Sequence, residues 1–168
     1  MDFAPFILCA PGRRPPAPRK LGTAEGLGDR MRTAAFAEKQ AVAAFIWAAE
    51  KFTDAPAQLR QDWLNQVPEE EKHYGMIVAR MAELGFGLTD REVSRGLWDS
   101  LATSQTAAEF CVKIARAEER GRQAGVQLVA YLKSKDPVTA AIFQEIAEDE
   151  VAHVALAHTY FGWTPDQD

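Results

Sequence analysis

One pattern constrains this chain more than any other. Glu70 and His73, three residues apart in "EEEKHYGMI" (69–77), recur as Glu150 and His153 in "EDEVAHVAL" (148–156). The same step of 80 residues (70 to 150, 73 to 153) carries "AFAEKQA" onto "ARAEERG", and so Glu38 onto Glu118. In each half, 32 residues separate the lone glutamate from the Glu-x-x-His (38 to 70, 118 to 150). Side chains three apart share one face of an α-helix. Two similar helical hairpins facing one another would therefore bring four carboxylates and two imidazoles together.

The surrounding sequence supports helices. Val42, Phe45 and Ala49 continue the face of Glu38; Ile77, Met81 and Leu84 continue that of Glu70; Ile146, Phe143 and Ala157 flank Glu150. β-branched residues never gather into alternating runs. Four long helices are predicted, over 29–52, 57–84, 106–133 and 137–161. Pro56 suits the first turn of the second and Gly85 its end, while Pro68 inside it should kink or split it. Thr106 and Glu109 read as a capping box for the third. Asp136 caps the fourth, with Pro137 at its first position and Gly162 at its stop. Residues 1–28 are proline-rich and read as an irregular arm, with Phe3, Phe6, Ile7 and Leu8 packing it onto the bundle of 29–168.

Loop lengths set the topology. The first and last pairs of helices are joined by a few residues each, as antiparallel hairpins. Residues 85–105 form a connection longer than a turn needs, with "RGLWDSL" (95–101) a candidate short helix. A crossover of that length can carry the chain along the bundle and make the two middle helices parallel. The fold class is all-α: a four-helix bundle with one long crossover, the ferritin-like arrangement.

Four buried carboxylates without partners would be prohibitively costly. Two divalent cations would neutralise them, and oxygen-rich ligands with one histidine per metal suit iron or manganese, or a mixed pair. One Glu from each of two helices and a Glu-x-x-His from each of the others is a di-metal carboxylate pattern. Glu70 and Glu150 are expected to bridge, with Glu38 and Glu118 terminal. Glu71 and Glu119 read as solvated neighbours. Glu69 and Asp149 occupy equivalent places before each motif: either Glu69 orients His153 and Asp149 orients His73, or both are surface acids. The halves differ beyond the glutamates, where Val42 and Phe45 are matched by Arg122 and Gly125, with Gly121 between. These glycines imply either close helix packing or space beside the metals, in which case Arg122 could meet an anionic group. His158 lies off the ligand face, and Tyr74, Trp98, Tyr131 and Tyr160 read as core fillers.

The formal net charge of −5 leaves no electrostatic footprint for nucleic acid; "PGRRPPAPRK" (11–20) is too short to supply one. Cys9 and Cys111 are too few for a disulfide scaffold. No apolar stretch reaches the roughly 20 residues of a membrane span. The basic residues near the start follow the apolar ones, a poor secretory signal. A cytoplasmic location is expected.

On "PGRRP", "AEKQA" (37–41), "DW" (62–63), "EEEKH" (69–73), "GLWDSL" (96–101), "EERG" (118–121) and "DEVAHVALAHTYFGW" (149–163), the chain resembles the ferritin-like superfamily of di-iron carboxylate proteins. Within it, the chain is most similar to a bacterial ferritin-like family of unknown function, related by fold to tRNA-modifying di-iron hydroxylases. The resemblance implies the fold and a di-metal site, and no substrate. Phe36 departs from it, standing where such sequences tend to have histidine.

The expected function is a di-iron oxidoreductase, of oxygenase or hydroxylase type, that uses dioxygen to oxidise a small organic substrate with electrons from a separate donor. The acidic charge disfavours a tRNA substrate. Two other readings stand beside it: an iron-handling ferroxidase, and a helical module with a structural metal. A homodimer is compatible with any of them.

Overall fold

The computed structural model describes residues 1–167. Five helices carry the chain: α1 (Ala24–Lys51), α2 (Ala57–Glu83), the short α3 (Gly96–Ala102), α4 (Ala107–Leu132) and α5 (Pro137–Phe161), followed by a 3₁₀ turn at Pro165–Gln167. No strand forms among the described residues; one parallel bridge joins Leu8 to Val93. The protein is an all-helical bundle.

Local chemistry sets the helix ends. Thr106 Oγ1 accepts from Glu109 N at 3.1 Å, and the Glu109 carboxylate accepts from Gln105 N at 2.9 Å. Asp136 Oδ1 accepts from Thr139 N at 3.1 Å behind Pro137, and Gly162 ends α5 at φ 68°, a conformation that disfavours any side chain. Helix α1 starts at Ala24, earlier than the predicted 29, because Thr23 Oγ1 caps Gly26 N at 3.0 Å. The arm presses on that first turn so closely that a Cβ at Gly26 would lie 1.9 Å from Lys20 O.

Helix α2 continues through Pro68, which neither splits nor ends it. Proline there removes the N–H that would bond the carbonyl of Leu64. Both residues are exposed, so water can take that carbonyl's bond and the break costs little.

Helices α1 and α2 pack together along their lengths, as do α4 and α5. Across the hairpins, His73 meets Asp149, His153 meets Glu69, and Arg80 meets Asp136. As the α2 number rises the α5 number falls, so these two helices are antiparallel. The connection through α3 therefore runs the length of the bundle. It is tied to α1 where Trp98 N donates to Gln40 Oε1 at 3.0 Å.

The arm docks as expected, with one exception. Phe3 and Phe6 are buried against Phe36, ring centroids 5.4 and 4.8 Å away. Ile7 faces outward, because its carbonyl accepts from Val93 N and the extended backbone turns successive side chains to opposite sides. Farther along, Asp29 is buried and gathers Arg19 (2.7 Å), Arg32 (3.2 Å) and Arg91. The Arg19 guanidinium holds the Asp29 carboxyl well below the usual carboxylate range, against its burial. This clamp joins the arm, α1 and the crossover.

Two apolar clusters result. One holds Phe45, Phe52, Leu59, Trp63, Phe110 and Ala157; the other holds Met31, Phe36, Ile77, Met81, Leu128 and Phe143. Every long helix passes from one cluster to the other. The acids and histidines of the repeat fall between them on all four.

Candidate metal centre

Each long helix delivers its part of the repeat to this polar layer. Glu70 and His73 are wholly inaccessible, and His153, Glu150 and Glu118 are 3, 5 and 8% exposed. Glu38 is half-buried and opens onto a cleft. Two overlapping groups emerge: Glu38, Glu70, His73 and Glu150, and Glu70, Glu118, Glu150 and His153. Within each group the available ligand atoms lie within 4.8 Å of one another. Glu70 and Glu150 belong to both. Glu38 and Glu118 belong to one each.

The layer is full of polar atoms that the protein itself does not satisfy. Both carboxylate oxygens of Glu70 and of Glu118, Oε2 of Glu150, and Nδ1 of both histidines are buried without a hydrogen bond. His153 Nδ1 comes within 2.9 Å of Glu70 Oε1, and His73 Nδ1 within 3.7 Å of Glu150 Oε1, without hydrogen-bond alignment. Seven such atoms in one place are far outside what native interiors leave unpaired. As a donor set, carboxylate oxygens with one imidazole nitrogen per group suit divalent cations such as iron or manganese.

The far nitrogens of the histidines are occupied. His73 Nε2 lies 3.1 Å from Asp149 Oδ2, and His153 Nε2 lies 2.8 Å from Glu69 Oε2. These are the two pairings expected for Glu69 and Asp149, each made across the hairpins. A carboxylate on Nε2 places the proton there and leaves the Nδ1 lone pair directed inward. Lys72 reinforces this side, reaching Asp149 at 3.0 Å and Glu145 at 2.8 Å.

Without cations the layer can persist only by holding protons. Burial pushes the Glu38 and Glu118 carboxyls well above the usual range, and the neighbouring glutamates push them further. Burial likewise raises Glu150, partly offset by His153. For His153, burial favours the neutral ring, but Glu150 and Glu70 outweigh it and push its value up to about 12.

The site is open on the side away from the histidines. A cleft of about 100 Å³ between α1 and α4 reaches Glu38, Glu70, Glu118 and Glu150, with Gly121, Arg122 and Gly125 in its wall. A Cβ at Gly121 would meet nothing within 4 Å, and at Gly125 only ordinary contacts at 3.8 and 3.9 Å. Of the two readings of these glycines, space beside the site is the one realised. Arg122 is already held by Glu119, with bonds of 2.7 and 2.8 Å. It is therefore not a free anion receptor, and Glu119 is a partner to arginine rather than a solvated neighbour.

Of the remaining candidates, His158 is exposed near the end of α5, away from the layer. Tyr74 packs beside Phe6, and the Tyr160 hydroxyl donates to Asp62. Sequence reasoning missed Lys72, whose only signal was its place next to His73. It also missed the Asp29 cluster, whose members Arg19 and Arg91 are far apart in the chain.

A family model described as "Protein of unknown function (DUF455)" matches residues 5–168. An uncharacterized protein of Haemophilus influenzae is 28% identical over 165 residues, covering 92% of this chain. The chain spans 57% of that relative's length. No solved structure matches.

Proposed function

The chain belongs to the DUF455 family, and from the chemistry of its polar layer we propose that it is a ferritin-like di-iron oxidoreductase that uses dioxygen to oxidise a small organic molecule. One observation carries the reading: two ligand groups overlap on Glu70 and Glu150 and leave their inward donor atoms unpaired.

Glu38, His73 and the shared glutamates would hold one ion; Glu118, His153 and the same shared glutamates would hold the other. Bound there, iron would supply the electrons and Lewis acidity that dioxygen activation requires. The protein's own contribution is positional. Asp149 and Glu69 fix the imidazoles so that Nδ1 points inward. Lys72 covers the histidine side with charge, and Phe143, Ile146 and Ile114 line the open side with apolar surface that keeps bulk water scarce. Glu38, the most accessible of the four acids, would be the ligand that a substrate in the cleft meets first.

The test is metal content followed by dioxygen uptake. Protein reconstituted with Fe(II) without air should hold about two ions per chain and consume dioxygen when air is admitted. Glu150→Ala, which removes a donor from both groups, should lose both ions while keeping its helix content. Full-length protein that takes up no Fe(II) or Mn(II) would end the proposal.

A further inference from the structure

The cleft at the acidic layer does not end there. It shares Ala34, Ala37, Gly121, Gly125 and Phe143 with an outer groove of about 420 Å³ that runs between α1 and α4 toward the arm. Pro18 and Leu21 of the arm line it together with Leu128 of α4. Gly121 and Gly125 bring no side chain into the stretch that the two share. Helices α1 and α4 touch far less than the hairpin partners do, so the slot is a gap between the hairpins rather than a dent in one.

The outer groove is apolar except for a few side chains. Thr33 is used, its hydroxyl donating to Asp29 O at 2.9 Å. Arg30 lines the groove and is half-buried. Its Nη1 donates to Arg19 O at 2.7 Å and Gly26 O at 3.0 Å, which fixes the guanidinium in place. Among the described residues no carboxylate pairs with it, and its Nε and Nη2 make no bond. The other arginines of this end each have a carboxylate partner: Arg19, Arg32 and Arg91 all meet Asp29, and Arg32 also meets Asp90. Opposite, Gln127 of α4 lines the same groove. A fixed, unneutralised guanidinium at the edge of an apolar slot is complementary to an oxyanion.

Resting on the di-metal reading above, we infer that the substrate is an anionic amphiphile: a carboxylate or phosphate head on Arg30, and a slim apolar body laid along the α1–α4 slot with its far end at the acidic layer. The eight residues from Arg30 to Glu38 correspond to about 12 Å along a helix, the reach of a medium-chain acyl group. Gly121 and the alanines at 34 and 37 are the small residues that line the shared stretch.

Binding tests this independently of turnover. Decanoate and decyl phosphate, below their micelle concentrations, are titrated calorimetrically into the full chain, with decan-1-ol as the uncharged control. Saturable binding of either anion is expected, at least tenfold tighter than of the alcohol. Arg30→Gln should weaken it by about tenfold or more. Gly121→Leu, which fills open space and should leave the fold intact by circular dichroism, should abolish it. Whichever anion binds tighter identifies the head group. The inference is overturned if neither anion binds, or if binding ignores both substitutions. Metal content of the same samples separates the two claims: two ions per chain without anion binding removes only the substrate class, whereas anion binding without metal removes only the di-metal reading.

Discussion

Removing metal should make this protein's stability fall as pH rises, across a range where most proteins are nearly indifferent. The cause is in the acidic layer. The carboxyls of Glu38, Glu118 and Glu150 are raised in the folded chain, so the metal-free native state retains protons that the unfolded chain has released above about pH 4.5. Stability must then decline with pH from there until the folded groups ionise. His153 acts in the same direction: its folded value of about 12 gives a contribution that is complete below about 6.5 and lost above it. Asp29, Asp136 and Asp149 are lowered instead, so their contribution is already complete by pH 5 and adds no slope. A single retained proton gives about 1.4 kcal/mol per pH unit, or roughly 2.7 kcal/mol between pH 5 and 7. For a chain of this size that lowers Tm by roughly 5–11 °C, and more than one retained proton lowers it further. Thermal melts of chelator-treated protein, followed by circular dichroism from pH 5 to 8, measure it directly. Saturating Mn(II) or Fe(II) without air should flatten or reverse the slope, since metal displaces the protons and binds better as pH rises. A metal-free Tm that is level or rising between pH 5 and 7 would refute the account, because the carboxylates would then be ionising as freely folded as unfolded.

Three further outcomes follow from the contacts. Asp149→Asn and Glu69→Gln should each cost about 10–100-fold in metal affinity, read by competition with a chromogenic chelator, with little change in helix content. Asp29→Ala leaves Arg32, 2% exposed, without its nearest acid; chemical denaturation should show a loss of about 3–5 kcal/mol. Gly121→Ala, whose Cβ meets nothing, should raise stability by about 0.5–1 kcal/mol in the same assay.

The helices and the acidic layer were legible because both are periodic. The repeat put Glu70 and Glu118 ahead of Glu69, Glu71 and Glu119, and the structure collects the six repeat residues and leaves Glu71 exposed. The partnership of Glu69 with His153 could be posed, but not decided, because it depends on how two helices distant in sequence are rotated toward each other. Helix α1 starts earlier than expected, at a local cap: Thr23 Oγ1 accepts from Gly26 N, where the preceding chain packs against the first turn. The fate of Gly121 was open for a similar reason. A glycine looks the same in sequence whether a neighbour presses on it or nothing does. Pro68 misled because its cost depends on which side of the helix faces water.

The layer is also built with an internal pseudo-symmetry. Neither hairpin owns a complete ligand group: the first supplies Glu38, Glu70 and His73 but needs Glu150, and the second supplies Glu118, Glu150 and His153 but needs Glu70. Even the carboxylates on the histidines cross from the opposite hairpin. Two copies of a single hairpin, docked about a twofold axis, would present the same set of ligands, four acids and two imidazoles drawn equally from both. Joining the copies in one chain frees the two halves to diverge. One half carries Val42 and Phe45 where the other carries Arg122 and Gly125, with Gly121 bare beside the site. The pseudo-symmetry supplies the centre, and the departure from it supplies the door.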